Sequence, residues 1–197
     1  MNGFNTLYYE ANIYITALAM GYSVNELATA ENLNNPKFKK KLRELAQNSS
    51  VMWEGIDTAD ILQNNSIAAV WGFSLPELAK RGQVWKIAEP KEGTMGWVDN
   101  FAIGWSLKNK PFLRKVAEEW LNFVISPDFQ VEVTVRSLGS APTNTHIQDR
   151  LTLEEIAMFH INDPDYFQNN RILWPTLKRT RDRNFMKHLW EKALIKK

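Results

Sequence analysis

The stretch SIAAVWGFSLPELAKRG, residues 66–82, decides the fold class, because it joins a short apolar run directly to a helix start signal. Residues 66–73 form a continuous apolar run, which is typical of a strand covered on both faces, as in a parallel sheet. Ser74 and Glu77 have the spacing of a capping box, and Gly82 stands where a short helix would end. The stretch therefore predicts a strand followed by a helix, the repeating unit of α/β proteins.

Further strands and helices alternate on both sides of this stretch. The clearest helix covers residues 35–46, where Asn35 has the N-cap position and Pro36 the first helical position. Further strands are predicted at 5–9, 83–90 and 95–107. The alternation predicts an α/β fold with a mostly parallel sheet.

A long amphipathic helix is predicted over residues 110–127, KPFLRKVAEEWLNFVISP. Pro111 begins it and Pro127 ends it. Its apolar positions recur at helical spacing, which predicts that this face packs in a core. They are Phe112, Val116, Trp120, Phe123 and Val124. Residues 128–137 are predicted to continue as a further helix, followed by the loop LGSAPTN.

Composition excludes several classes of function. The chain has 197 residues, a formal net charge of +2 and no Cys. The small charge gives no reason to expect a nucleic-acid partner, and the lack of Cys removes thiolate catalysis and Cys-ligated metals. The three His residues are scattered, and no phosphate-binding glycine loop or serine-hydrolase motif occurs. We therefore predict a protein that is not an enzyme and needs no metal or other cofactor.

The stretch GWVDNFAIG, residues 96–104, places an indole and a carboxylate two residues apart. In a strand, Trp97 and Asp99 would share a face. Trp71 lies near the end of the apolar run of the first stretch, at the strand end where parallel sheets bind ligands. Two indoles and a carboxylate suit a slender organic cation. The alternative is that both Trp residues belong to the core and that Asp99 caps a loop or pairs with a Lys.

Several longer stretches, in this order, carry a resemblance to a known family. They are SVNELATAENLN, IAAVWGFSLPELAKRG, AEPKEGTMGWVDNFAIG, KPFLRKVAEEWLNFVISPDFQVEVTVRSLGSAPTN and LWPTLKRTRDRNFMKHLWEKAL. The chain resembles the extracellular solute-binding proteins of ABC importers over nearly its whole length, and their spermidine/putrescine-binding branch in particular. The resemblance implies a type II periplasmic-binding-protein fold, in which two lobes close on a ligand.

The resemblance also implies which residues bind the ligand. In the polyamine-binding branch, a Trp before the capped helix and a Trp-x-Asp pair line the cleft between the lobes. These positions match Trp71, Trp97 and Asp99, so Asp99 is expected to meet an amine of the ligand.

An acidic pair, which polyamine-binding members carry at the start of the second lobe, is replaced here. Its positions fall on Tyr8 and Ala11, and Glu10 is the only acid nearby. We include Tyr8 and Glu10 among the predicted ligand-binding residues. Glu10 either replaces the acidic pair or stabilises the N-terminus of the helix that follows.

The resemblance divides the chain into three segments. Residues 1–95 are expected to belong to the second lobe, 96–140 to first-lobe material after a hinge crossing, and 141–197 to a helical return to the second lobe. Most of the first lobe is expected to be missing, which would give only a partial two-lobe architecture. Exposed sheet edges would then favour self-association, a swapped dimer, or pairing with a separate chain.

The expected partners are a polyamine and a membrane-embedded ABC permease. The expected location is periplasmic or extracytoplasmic, with a membrane anchor possible in a full-length protein. The alternative function is a truncated or degenerate module that acts only as an interaction or structural protein.

Overall fold

The computed structural model describes most of the chain, which forms two units. The described residues are 3–6, 9–27, 29–53, 55–163, 165–166, 171–173, 175, 177 and 179–195. Unit 1 comprises Met1–Trp97 and Phe167–Lys197, and unit 2 comprises Val98–Tyr166. The chain thus leaves unit 1 once and returns to it, with the changes at residues 97/98 and 166/167. The predicted segments change at 95/96 and 140/141.

Nine α-helices and five strands are present among the described residues. The helices are α1 (Tyr9–Ala19), α2 (Val24–Leu27), α3 (Pro36–Asn48), α4 (Ala59–Leu62), α5 (Leu75–Lys80), α6 (Pro111–Val124), α7 (Pro127–Phe129), α8 (Leu153–Met158) and α9 (Thr180–Leu194). The strands are β1 (Gly3–Thr6), β2 (Ser49–Trp53), β3 (Ile67–Ala68), β4 (Thr94–Gly96) and β5 (Arg171–Leu173). Short 3₁₀ segments cover Ala30–Leu33, Trp105–Leu107 and Thr145–Arg150, and a π-helix covers Gln130–Ser137.

The strands of unit 1 form two small sheets. β1 lies between β2 and β3 and runs parallel to both. β4 and β5 form a separate parallel pair. A parallel pair needs a crossover connection, and α1 with α3 provides it between β1 and β2.

The main core of unit 1 lies where α1, α3 and α9 pack together. Ile13, Tyr14, Phe38 and Met186 are fully buried there, and Trp190 is almost so. A smaller apolar cluster joins Trp53 of β2 to α4 and α5.

Helix α3 confirms the helix predicted at residues 35–46. The Asn35 side chain accepts a hydrogen bond from the Phe38 backbone N–H at 2.8 Å, and Pro36 occupies the first turn. Phe38 and Leu42 are buried on the stripe that faces the core. The Asn35 cap and Pro36 both act within one helical turn, so the start of this helix does not depend on distant residues.

Three strand predictions are largely wrong. Residues 66–73 contribute only Ile67–Ala68 to a strand, and residues 83–90 form none. Within 95–107 the strand ends at Gly96, and residues 97–104 are irregular. A strand depends on a paired neighbour, which a local pattern of apolar and β-branched residues cannot supply.

Unit 2 is built from α6, α7, the π-helix and α8. The helical prediction for residues 128–137 is confirmed by α7 and the π-helix. Buried Gln130 joins two parts of the unit. Its amide nitrogen donates to the Val124 carbonyl at 2.8 Å, and its amide oxygen accepts from the Thr143 N–H at 2.8 Å. The SPDFQ and GSAPTN stretches therefore meet at this side chain.

Helix α6 forms where it was predicted, but its apolar face is not a core face. Val124 is the one buried side chain of the helix, at 5% exposure. Phe112, Val116, Trp120 and Phe123 are all exposed. The prediction of core packing for these four residues is wrong, because each of them stays about half exposed or more, although the Trp120 ring meets Phe101 and the Phe123 ring meets Phe129.

Candidate functional site

The loop that carries Trp71 is held by one buried carboxylate. Asp57 accepts the Trp71 backbone N–H at 3.1 Å through Oδ1 and the Ser74 N–H at 3.0 Å through Oδ2. The Ser74 hydroxyl donates to the Asp57 carbonyl oxygen at 2.7 Å. Asp57 and Ser74 are 3% and 4% exposed. These bonds fix the backbone from residue 71 to the start of α5. They therefore fix the position of the Trp71 Cα atom, from which its side chain extends.

The predicted capping box at Ser74 and Glu77 is wrong. The Ser74 side chain makes no capping bond in α5, because its hydroxyl bonds to Asp57 instead. Glu77 pairs with Arg81, one turn further along the same helix. The carboxylate that receives the Ser74 N–H is thus 17 residues away in sequence.

Trp71 and Trp97 form an indole pair in unit 1. Their ring centroids are 4.3 Å apart, and the ring planes meet at 82°, so one ring presents its edge to the face of the other. Trp71 is half-buried and Trp97 is 38% exposed. The pair therefore has both packing support and a surface open to solvent.

Asp99 belongs to unit 2 and is exposed. The argument that Trp97 and Asp99 share a face of one strand is wrong, because residues 97–104 have no regular secondary structure. No ion pair or hydrogen bond of the Asp99 carboxylate occurs in the described part of the chain. Its pairing with a Lys, the alternative considered for this residue, is likewise not seen there.

Glu10 lies at the start of α1 and is 6% exposed. Its Oε1 is 3.2 Å from Arg183 Nε of α9 and accepts the Tyr9 hydroxyl at 3.1 Å. The carboxylate thus links α1 to α9 within the main core of unit 1. Tyr8, the other predicted residue of this region, lies outside the described residues.

A third buried carboxylate, Asp182, organises the start of α9. Asp182 accepts from Arg179 at 2.6 and 3.0 Å and from the Ala30 N–H at 3.3 Å. The Arg179 hydrogen bonds are the main reason that the pKa of Asp182 is lowered, and the Ala30 bond adds to them against the effect of burial. Asp182 therefore has a structural role in joining α9 to the Ala30–Leu33 segment.

The sequence of the chain matches a family model described as bacterial extracellular solute-binding protein, over residues 3–165. The chain belongs to this family. No curated protein matches the chain. Family membership supports a solute-binding role in transport, with a solute as ligand and a membrane ABC permease as the general partner.

Membership also bears on fold and location. It indicates an α/β fold of the periplasmic-binding-protein kind and a periplasmic or extracytoplasmic location for this solute-binding protein. Such proteins are generally not enzymes. In the part of the chain that the structure describes, no helix is both long and apolar enough to cross a membrane. Nor do the described His, Asp and Glu side chains form a group of three that could hold a metal ion.

Asp57 is the residue of this solute-binding protein that sequence reasoning missed. It lies in a short irregular segment before α4, 14 residues from Trp71. No local motif marks it. The one available signal is an Asp beside a polar N-cap, Thr58, which by itself indicates only the start of a helix.

Proposed function

We propose that this solute-binding protein captures a slender organic cation of the polyamine class, such as spermidine or putrescine. Trp71 and Trp97 supply the aromatic surface, and Asp99 supplies the carboxylate for an ammonium group. The observation that supports this proposal is the indole pair, with ring centroids 4.3 Å apart.

The indole pair suits a cation joined to a methylene chain. The face of an indole attracts a cation with about 0.5–2 kcal/mol, and the larger value requires desolvation. The edge-to-face contact contributes about 0.5–1.5 kcal/mol and restrains both rings. A ring that is already restrained loses less conformational entropy when a ligand binds. Asp57 extends this preorganisation to the backbone of Trp71.

Asp99 contributes charge to the proposed site. An exposed carboxylate with no partner among the described residues is available for a charge-assisted hydrogen bond to an ammonium group. Because Asp99 is exposed, its contribution is expected to weaken as salt is added. We leave Glu10 out of the proposed site, since its carboxylate already pairs with Arg183.

Other predictions from the resemblance are part of the same proposal. They are the polyamine branch, the type II two-lobed architecture with a mostly parallel sheet, capture of the solute between the lobes, and the option of a membrane anchor in a full-length protein. The involvement of Tyr8 also stays a prediction. The comparison does not favour the alternative of a purely structural module.

Isothermal titration of the 197-residue protein with spermidine and putrescine tests the proposal. We expect saturable binding to the wild type, and at least a tenfold weaker affinity for Trp97→Ala, which corresponds to about 1.4 kcal/mol. Trp105→Ala is the matched control, because Trp105 is an exposed Trp outside the indole pair. No heat and no shift in melting temperature with millimolar ligand would rule out polyamine binding.

A second pair of variants isolates the carboxylate. Asp99→Asn is expected to weaken spermidine binding and to reduce its salt dependence, because one charge-assisted contact is lost. Asp149→Asn is the matched control, since Asp149 is also exposed and lies in unit 2. Equal affinities of these two variants for spermidine would show that Asp99 does not belong to the site. The indole pair would still be tested separately by Trp97→Ala.

A further inference from the structure

Solute binding does not explain the exposed apolar face of α6 in unit 2. We define the α6 face by Phe112, Leu113, Val116, Trp120 and Phe123. Phe112 is 76% exposed and Phe123 is 57% exposed. At 100° per residue these five side chains fall on one side of the helix, within a stripe about 100° wide. Such a stripe ordinarily lies against other protein.

Neighbouring aromatic residues extend the α6 face. The Phe101 ring meets Trp120 edge to face, with centroids 5.0 Å apart, and Phe101 is itself exposed. Trp105, just before the helix, is 79% exposed. Together with Phe112 and Phe123, the rings of Phe101, Trp105 and Trp120 expose roughly 500–800 Å² of aromatic surface to water. This range assumes about 150–250 Å² for a whole aromatic side chain. A typical monomer exposes a largest apolar patch of about 300–600 Å², and a stable interface buries about 800 Å² on each partner.

Helix α6 also needs a partner for its own stability. It has 14 residues, and Val124 is its one buried side chain. An isolated helix of about 12–15 residues is marginal in water, and most helices in proteins are stabilised by packing of their apolar face. Among the described residues, α6 contacts Phe101 through Trp120 and Phe129 through Phe123, and Gln130 bonds to the Val124 carbonyl at its C-terminal end.

The charges of α6 suggest what the partner is. Basic residues precede and begin the helix, at Lys108, Lys110, Arg114 and Lys115. Acidic residues follow, at Glu118 and Glu119. This order is unfavourable within one helix, because cations then lie near the positive end of the helix dipole and each Lys or Arg precedes its Glu partner at i,i+4. The same order is complementary in an antiparallel pair of identical helices, where each basic half faces an acidic half.

We propose that the α6 face is the docking surface for a second copy of this chain, with the two α6 helices antiparallel about a two-fold axis. A two-fold interface is self-complementary, so every contact occurs twice. A register that places Val116 opposite Trp120 of the second copy also brings Phe112 within about 1.5 Å, along the helix axis, of Phe123. The apolar stripes then cover each other.

The same register pairs charges beside the stripe. Lys115 and Glu119 lie on one edge of the α6 face, at helical positions next to Phe112 and Phe123. Across the two-fold axis, Lys115 falls within about 3 Å along the helix axis of Glu119 of the second copy, at 1.5 Å of rise per residue. Arg114 and Glu118 lie on the opposite side of the helix, where they form an ion pair of 2.8 Å within the same chain.

Sedimentation of the 197-residue protein over about 1–200 µM, without added solute, tests the proposal, because dimer formation follows mass action. We expect the mass to rise from that of the 22.8 kDa monomer to twice that value. In low salt, Lys115→Glu and Glu119→Lys should each weaken the dimer about tenfold, since each places two like-charged pairs across the axis. The double variant exchanges the charges and should restore the affinity to within about threefold of wild type.

The matched controls lie on the opposite side of the same helix. Arg114→Glu and Glu118→Arg alter charge as much as the test variants but should leave the dimer unchanged. Circular dichroism of every variant checks that α6 is intact. A monomer at all concentrations would overturn the proposal, and would point to a different protein as the occupant of the face. A dimer that the test and control variants affect equally, or that the double variant does not restore, would overturn it as well. The measurement contains no solute, so its outcome is independent of the polyamine proposal.

Discussion

Asp57 shows at the residue scale how one buried carboxylate can position the backbone of an aromatic residue. Both of its oxygens accept backbone N–H groups, one from Trp71 and one from Ser74. Buried carboxylates are costly unless such donors satisfy them. Here the donors belong to the loop that carries half of the indole pair, so the stability of the loop and the placement of Trp71 depend on the same bonds.

Replacing Asp57 with Asn should lower both stability and affinity. The Asn amide has only one acceptor oxygen, so the N–H of Trp71 or of Ser74 loses its partner, at a cost of about 1–3 kcal/mol. Denaturant unfolding measures this loss, and titration with spermidine measures the loss of affinity. The control is Asp60→Asn, which removes an exposed pair with Arg81 and should cost less than about 1 kcal/mol. Equal losses of stability for the two variants would contradict this role of Asp57.

Asp182 should contribute to the acid sensitivity of the fold. Its pKa is lowered in the folded state, mainly by Arg179, whereas an unfolded Asp titrates near about 3.9. A lowered carboxyl pKa stabilises the fold above the unfolded value, and this stabilisation is lost as the pH falls toward the folded pKa. The advantage of wild type over Asp182→Asn should therefore be constant from neutral pH to about pH 5 and shrink below about pH 4.

Urea midpoints from pH 3 to 7 measure the effect of Asp182. Asp149→Asn serves as the control, because Asp149 is exposed and has no ion pair among the described residues. The urea midpoint of Asp149→Asn should stay close to that of wild type over the whole pH range. If the difference in urea midpoint between wild type and Asp182→Asn grew as the pH fell, the predicted sign of the effect would be wrong.

At the element scale, the sequence predicted best what neighbouring residues determine. The start of α3 follows from Asn35 and Pro36, which lie within one turn of each other. Residues 83–90 have strand composition, but they form no strand, because pairing depends on residues far away in the chain. The capping box at Ser74 failed for the same reason, since the distant Asp57 competes for the Ser74 groups. Trp71 and Trp97 were named from the sequence, whereas their edge-to-face contact depends on the tertiary fold.

Gln130 should be essential for joining the elements of unit 2. Gln130→Glu removes the donor to the Val124 carbonyl and places a negative charge beside that oxygen, although Thr143 can still donate. We expect a loss of about 1–3 kcal/mol in the free energy of unfolding, the cost of a buried group left without a partner. Gln148→Glu is the control, because Gln148 is exposed and should cost less than about 0.5 kcal/mol. If Gln130→Glu lowered the free energy of unfolding no more than Gln148→Glu does, this role of Gln130 would be contradicted.

At the scale of the whole molecule, the two units differ in how much core they contain. Unit 1 has fully buried side chains contributed by α1, α3 and α9. Unit 2 buries Val124, Val131, Val135 and Ile147, which are of modest size. Burying one large apolar side chain contributes about 1.5–3 kcal/mol, so the stability of the molecule is expected to be concentrated in unit 1.

Hydrogen exchange should show this difference directly. Amides of α1 and α3 should exchange only through global opening of unit 1, whereas amides of α6 should exchange at least about 100-fold faster through local opening. Mass spectrometry of peptides from each helix measures both rates. If a second copy covers the α6 face, the α6 amides should also gain protection between about 5 and about 200 µM protein, while those of α1 stay unchanged. The charge variant Lys115→Glu should abolish that gain, and Arg114→Glu should preserve it. Slow, concentration-independent exchange in α6 would mean that the helix is stable alone, and it would remove the physical need for a partner.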